Sequence, residues 1–249
     1  MPSSLQSDQI QPRVLYNYTT LLQIRPDWGG AFILSLGLGP HGATLSTAAG
    51  IAGAVSLAIE SNPASLREVA RTGGCDFVVN TLDEALRAMK NEIRKQTPLS
   101  VTLSADPLLT LDAVLERGLA PQLFTSFLPP NQRILDAATA LRSLNAALVD
   151  FNENAQPPIG FRSSQSLLQP LLERNEWQLQ NFIFNSLSVQ REFDARALTL
   201  FPAGDTLRRR WLEAGPRLLQ RQRPPQRSLW LTKTESSSLS KEFGPYAVN

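Results

Sequence analysis

The chain has 249 residues, of which 42% are hydrophobic and 18% charged, and its formal net charge is +2. This composition supports a sizeable core, and the near-neutral charge argues against a dedicated nucleic-acid-binding protein. A single cysteine, Cys75, excludes an intramolecular disulfide, and a single histidine, His41, excludes metal sites built on histidine pairs. We therefore expect no metal site.

The chain begins with a polar stretch that lacks the apolar centre of a signal peptide, and no run approaches ~18 apolar residues. These features predict a cytoplasmic protein that does not enter a membrane.

Apolar strands and helices alternate through the first half of the chain. The run AFILSL at 31–36 predicts a strand buried on both faces, as parallel sheets require. Further strands are predicted at 55–60, 77–80, 99–103 and 122–125, and the helices between them at 43–54, 62–71, 82–95 and 107–117. Short connections between these elements predict an α/β fold, a doubly wound parallel sheet of Rossmann-like type.

The pattern changes after Pro130. We predict an amphipathic helix at 134–151, a mostly helical stretch at 166–191, a helix from about Asp205, a strand at 228–233 and a frayed polar tail from Ser236. These elements predict a smaller, mainly helical flanking domain. The predicted division is an amino-terminal arm at 1–27, a Rossmann-like domain at 28–151 and a carboxy-terminal domain at 152–249.

The sharpest local signal is a G-x-G-x-x-G turn formed by Gly37, Gly39 and Gly42, placed after a buried strand and before a helix. In such turns the glycines permit the tight turn, the approach of a pyrophosphate and close helix packing. Glu60 follows Gly42 by 18 residues, near the spacing at which an acid binds a ribose hydroxyl. The pattern predicts a dinucleotide site, and the alternative is that the glycines only form the turn.

Four other features have two interpretations each. Cys75 is a reactive thiol or a small buried hydrophobe, and His41 donates to an anion or is an exposed loop residue. The four tryptophans are core residues or ligand-stacking residues. Between Asp205 and Lys233 there are eight Lys/Arg residues against two Asp/Glu, which is an anion-binding surface or an ordinary solvated face.

Three ordered segments, 27–60, 81–125 and 197–231, resemble the urocanase (urocanate hydratase) family, which belongs to histidine catabolism. The resemblance covers about Tyr16 to Thr232. It implies an NAD-binding Rossmann-like domain inserted into a flanking domain, so that the amino-terminal arm packs with the carboxy-terminal unit. It also implies a homodimer.

Carried over position by position, the resemblance places cofactor contacts on the glycines of the turn and on Glu60. The family's Gly-Asn pair falls on Ala105 and Asp106, its cofactor-contacting QTSAH run is absent after Thr125, and its catalytic cysteine falls on Leu229. A leucine cannot transfer a proton, so we predict no catalytic residue here. The predicted cofactor-binding residues are Gly37, Gly39, His41, Gly42, Glu60 and Asp106.

The function predicted from the sequence is that of a pseudoenzyme, a urocanase-like protein without hydratase chemistry whose crevice binds a nucleotide, such as NAD, or a small anionic ligand. Two alternatives stay open. One is an active hydratase that uses NAD+ on urocanate or a relative, and the other is a structural or interaction protein with an empty crevice. No nucleic-acid or membrane partner is expected.

Overall fold

A computed structural model describes residues 7–152, 156–219 and 223–248 of the chain. The helices of this part are α1 (Ser7–Ile24), α2 (Gly39–Ala52), α3 (Pro63–Thr72), α4 (Leu82–Lys95), α5 (Pro107–Glu116), α6 (Gln132–Ser143), α7 (Ser164–Arg174), α8 (Leu187–Leu200), α9 (Thr206–Leu218) and α10 (Lys233–Phe243). The strands are β1 (Phe32–Leu36), β2 (Val55–Glu60), β3 (Phe77–Val79), β4 (Leu99–Ser104), β5 (Leu123–Ser126), β6 (Ala147–Asp150), β7 (Arg162–Ser163), β8 (Gln178–Ile183), β9 (Gln226–Leu231) and β10 (Ala247–Val248).

The first seven strands form one parallel sheet with the order β3-β4-β2-β1-β5-β6-β7. If the edge strand β3 is set aside, the others stand in the Rossmann order 3-2-1-4-5-6, counted along the chain. The predicted doubly wound α/β fold is therefore confirmed. The strand order reverses between β1 and β5, and ligands of such sheets bind outside the carboxyl ends of the strands at this point.

The sheet is covered on both faces, which explains why β1 and β2 are buried at every position. On one face, Leu34, Leu57 and Val101 pack with α4, α5 and α6. On the other face, Ile33 and Leu123 join a core that continues through α1 and α2 into the carboxy-terminal unit. The small residues of α2 let this helix lie close to the sheet, so the glycine turn before it is held rigidly.

The carboxy-terminal unit combines α7 to α10 with a three-stranded antiparallel sheet in the order β10-β8-β9. The stretch predicted as mostly helical at 166–191 contains the end of α7 and the start of α8, but the prediction is wrong between them, where the chain forms β8. The backbone turns at Glu176, whose φ is 52°, and Trp177 N–H bonds the carbonyl of Leu172. The tail predicted to fray contains α10, which begins with a capping box formed by Thr232 and Glu235.

The helix predicted at 134–151 is also shorter than expected, because α6 ends at Ser143 and β6 follows. Asn145 adopts a left-handed conformation with φ of 68°, and the amide of Ala146 bonds Leu141 O at 3.0 Å. This turn closes the helix. The apolar run ALVD then adds a sixth strand beside β5.

Helix α1 contacts both parts of the molecule. Its Gln11 accepts a hydrogen bond from the Ser228 amide of β9 at 2.7 Å, and its Thr19 accepts one from Trp230 Nε1 at 2.9 Å. On its other side, Asn17 donates to Thr44 of α2 at 3.2 Å. The boundaries at 27 and 151 stay a prediction, since the core runs through α1 without a break.

Candidate functional site

The glycine turn joins β1 to α2 at the point where the strand order reverses. Gly37 and Gly39 have φ of 77° and 47°, a left-handed region that favours glycine. A Cβ atom on Gly42 would lie 3.0 Å from Gly37 O, whereas one on Gly39 would meet nothing within 4 Å. The first and third glycines are thus needed for the fold of the turn, and the second leaves space beside it.

The amino terminus of α2 differs from those of α3 to α10. Each of those eight helices has a side chain that caps its first turn, but α2 has none. First-turn amides have no intrahelical acceptor, and the positive end of the helix dipole adds to their attraction for anions. Pro40 lies in this turn and supplies no amide hydrogen. The uncapped end beside Gly39 is therefore the part of the crevice most suited to an anion.

Glu60, at the end of β2, binds the turn from the neighbouring strand. Its Oε2 accepts from the Leu38 amide at 2.9 Å, and its Oε1 accepts from the Asn62 amide at 2.8 Å. The carboxylate is buried, with 9% of the residue exposed. Glu60 thus fixes the turn, and a ribose hydroxyl would have to use the remaining lone pairs of the same two oxygens.

Glu60→Gln tests this bracing role. A glutamine has one acceptor oxygen, so one of the two amides would face an NH2 group and lose its partner. We expect the free energy of unfolding to fall by about 1–3 kcal/mol, measured by urea denaturation. Glu116→Gln, at an exposed position of α5, is the control and should change little. Equal stability of the two variants would contradict the bracing role.

Two apolar residues that follow β5 lie against the glycine turn. A Cβ atom on Gly37 would be 3.2 Å from Leu128 Cδ2, and one on Gly42 would be 3.4 Å from Phe127 Cδ2. These side chains occupy the β5 side of the turn. The sequence analysis showed that the family's QTSAH run is absent at this place, but it did not predict that the residues replacing it contact the glycines. The contact arises because β5 is the neighbour of β1 in the sheet.

Of the remaining predicted residues, His41 lies in this turn, and Asp106 follows β4, two strands away from β1. His41 is in the first turn of α2 and is half-buried, and its carbonyl accepts a hydrogen bond from Thr44 Oγ1 at 2.7 Å. Asp106 caps α5 through the amides of Leu108 and Leu109, at 2.9 and 2.8 Å. Its neighbour Ala105 donates to Glu60 O at 3.2 Å. Asp106 thus lies at the end of β4, the neighbour of β2, and its Oδ1 already accepts hydrogen bonds from these two amides.

A polar group that the sequence did not predict links the ends of β5 and β6. Asn152 Nδ2 donates to Ser126 O at 3.0 Å and to Asp150 Oδ1 at 2.7 Å. Asp150 is buried, with 3% of the residue exposed. These residues were hidden from sequence reasoning because Asp150 fell inside a predicted helix.

The structure favours the core interpretation for the tryptophans and for Cys75. Trp28, Trp211 and Trp230 are buried in the main core, and Trp177 lies 4.7 Å from the guanidinium carbon of Arg208. Burial raises the pKa of the Cys75 thiol, so the nucleophilic thiolate is disfavoured.

The basic segment is partly internal. Arg208 pairs with Asp205 at 2.6 Å and with Glu235 at 2.7 Å, and it is 4% exposed. Arg227 pairs with Asp194 at 2.6 Å and is 1% exposed. Two of the eight cations are therefore buried and paired with acidic side chains, so they contribute nothing to an anion-binding surface.

Residues 16–129, which contain the turn, Glu60, Asp106 and Phe127, match the family model of the urocanase Rossmann-like domain. This part of the chain is a urocanase-type Rossmann-like domain. The resemblance seen in the sequence is thereby confirmed, and the urocanase-type domain holds all six predicted site residues. Leu229, which the sequence resemblance places at the position of the family's catalytic cysteine, lies outside the match and is fully buried in β9.

Two solved structures are similar to this chain at low levels. A short chain alcohol dehydrogenase from E. coli CFT073 in complex with NADH has 13% identity over 68% of this chain and 42% of that chain, with a TM-score of 0.38. Human methyltransferase-like protein 13 in complex with SAH has 14% identity over 94% of this chain and 99% of that chain, with a TM-score of 0.29. These scores are too low to carry an argument about ligands.

Two further findings concern the described ranges alone. Within 7–152, 156–219 and 223–248, no three His, Cys, Asp or Glu side chains come together as metal ligands. None of the helices in these ranges has both the length and the apolar character needed to span a bilayer.

Proposed function

We propose that this urocanase-family protein has lost hydratase chemistry and binds a nucleotide, such as NAD, or a small anionic ligand at the amino terminus of α2. The observation that carries the proposal is the uncapped first turn of α2, next to an open Gly39, at the switch point of a Rossmann-ordered sheet. The match of residues 16–129 to the urocanase Rossmann-like domain supports NAD as the first ligand to test.

The residues present fit the phosphate part of such a cofactor better than the rest of it. Gly39 leaves room for a diphosphate beside the first-turn amides, and Glu60 stands at the ribose position with both oxygens engaged by amides. On the β5 side, the side chains of Phe127 and Leu128 replace polar contacts. When bound, NAD would supply an electrophilic nicotinamide ring. This chain's residues would bind and orient the phosphates and exclude water.

The loss of hydratase chemistry rests on Leu229. Its side chain carries no proton-transferring group and packs in the core with the rest of β9. We therefore expect the urocanate absorbance band to persist when the pure protein is incubated with urocanate and NAD+. Disappearance of the band would contradict this part of the proposal and support an active hydratase.

Ligand binding is tested by titration calorimetry and thermal unfolding with NAD+, NADH, ADP-ribose and AMP. We expect at least one of these compounds to bind and to raise the melting temperature, since a ligand that binds only the folded state stabilises it. Gly39→Asp should abolish the response, because a carboxylate at the helix terminus takes up the amides and repels phosphate.

Gly118→Asp is the matched control for this variant. Gly118 also has a positive φ, of 64°, and its Cβ position is equally open, but it follows α5 at the amino ends of the strands. This variant should bind like the wild type. Binding that survives Gly39→Asp would place the ligand elsewhere.

A second candidate function is that of a structural or interaction protein with an empty crevice, present as a homodimer in the cytoplasm. It is favoured by the contacts of Phe127 and Leu128 with the glycines and by the full engagement of Glu60. A melting temperature that is unchanged by all four compounds, together with a dimer in light scattering, would support it over the first proposal.

A further inference from the structure

The outer edge of β3 is an open, apolar end of the seven-stranded sheet. β3 stands first in the sheet order, and β4 is its one neighbour among the strands that the structure describes. Its apolar residues Phe77 and Val78 are 55% and 42% exposed. Because successive residues of a strand point to opposite faces, this edge is uncovered on both faces of the sheet. An exposed apolar edge is a template for a further strand.

The other edge of the sheet is protected. It is formed by β7, which consists of Arg162 and Ser163. Natural sheets commonly block pairing at an edge with very short strands and with charged side chains. β3 is also short, but its sequence FVV contains neither a charge nor a proline. The charge that protects β7 is thus missing at β3.

The backbone of β3 turns hydrogen-bonding groups outwards at Val78. The Ala105 amide donates to Glu60 O of β2 at 3.2 Å, so alternation along β4 turns the backbone of Thr102 away from β2 and towards β3. In a parallel pair, such a residue bonds to the two neighbours of its partner. The partner of Thr102 is Val78, which therefore faces away from β4 with both its N–H and its C=O. A second Val78 in antiparallel orientation can satisfy both groups.

Helix α4, which packs beside β3, carries opposite charges at its two ends. Glu84 accepts a hydrogen bond from the amide of Asn80, directly after β3, so its side chain lies on the β3 side of the helix. Lys95 follows eleven residues later, about three turns, and lies on the same side. A twofold axis at β3 reverses the direction of α4 and brings Glu84 to the side of the partner's Lys95. The edge is therefore complementary in charge to a second copy of itself.

We propose that two copies of this chain pair through their β3 strands, antiparallel and with the twofold axis at Val78. Val78 exchanges both backbone hydrogen bonds with the partner's Val78, and Phe77 packs on the partner's Val79. The two seven-stranded sheets become one continuous sheet. The proposal goes beyond an expected homodimer, because it names the surface and the register. It does not depend on a ligand at α2, since β3 lies three strands from β1.

The first test is the dissociation constant of the dimer, measured by sedimentation equilibrium. Val78→Lys places two like charges directly opposite each other, and we expect it to raise the dissociation constant at least about tenfold. Leu144→Lys is the matched control, because Leu144 is 45% exposed but ends α6, between β5 and β6 in the chain. This variant should keep the wild-type constant. A wild type that is monomeric up to about 1 mM, or two lysine variants with the same constant, would overturn the proposal.

A cysteine at position 78 tests the register and decides the question if the lysine variant does not fold. In an antiparallel hydrogen-bonded pair the two Cα atoms are about 5.5 Å apart, a distance that a disulfide spans. We expect Val78→Cys, in a Cys75→Ser background, to form a disulfide-linked dimer on mild oxidation, whereas Leu144→Cys in the same background stays unlinked. Non-reducing electrophoresis measures the products. Equal linkage in the two variants, or none in Val78→Cys, contradicts the pairing.

Two charge reversals on α4 test the direction of the pairing. Lys95→Glu sets an acid against the partner's Glu84 and should raise the dissociation constant about two- to fivefold. Lys90→Glu makes the same change on the opposite side of α4, since Lys90 lies about two turns from Asp83, which pairs with Arg117 after α5. It should leave the constant unchanged. Equal constants for these two variants would overturn the twofold axis at Val78.

Discussion

Asp194→Ala is expected to lower the free energy of unfolding by about 3–5 kcal/mol, because it leaves a buried guanidinium without its counter-ion. The Asp194 carboxylate accepts from Arg227 Nε at 2.8 Å and from Nη2 at 2.6 Å. Arg227 is 1% exposed, so water cannot replace the lost partner. Urea denaturation followed by circular dichroism measures the effect.

Glu242→Ala is the control for this prediction. Glu242 pairs with Arg196 at 2.9 Å, but both side chains are exposed, at 48% and 37%. Exposed pairs contribute about 0–1 kcal/mol, since solvent screens the charges. Equally small effects in the two variants would show that another group or water stabilises the Arg227 charge.

Gly37→Ala is expected to destabilise the protein by about 2–4 kcal/mol, the sum of backbone strain and overpacking. An alanine at φ of 77° is strained, and its Cβ would lie 3.2 Å from Leu128 Cδ2. The variant should also bind nucleotides more weakly, because a shift of the turn moves the first amides of α2. Urea denaturation and calorimetry with NAD+ measure the two effects.

Gly118→Ala separates the two causes. Gly118 has φ of 64°, but its Cβ position is open, so only the strain of about 1–2 kcal/mol applies there. If both alanine variants lose the same stability, the contact between Leu128 and the turn is loose. The proposed packing of the β5 side against the glycines would then be wrong.

The sheet was predictable where the apolar runs were long and where the residues between them strongly favour turns or helix caps. The runs that became β1 and β2 are buried on both faces, and the helices predicted at 62–71 and 82–95 begin at capping residues, Asn62 and Thr81. The errors fall where a helical pattern hides a short break. At Asn145 and Glu176 the chain ends a helix with a non-glycine residue at positive φ, a signal that composition does not reveal.

The candidate site was predictable as a turn but not as a set of contacts. The glycine spacing located the end of β1, and the turn lies inside the segment that matches the urocanase Rossmann-like domain. The bonds of Glu60 to two amides and the position of Phe127 depend on which strands are neighbours, a property of the whole sheet.

Helix α1 is held by bonds to residues more than 200 positions further along the chain, from Gln11 to Gln226 and Ser228 and from Trp230 to Thr19. A ribosome releases α1 early, and α2 follows soon after it, but the partners of α1 on β9 emerge only after most of the polypeptide has been made. Contacts of such long sequence separation slow folding, because a large loop must close before they form. The side of α1 that packs against β9 therefore stays exposed during most of translation. Chaperones that bind nascent chains would find an apolar binding surface there.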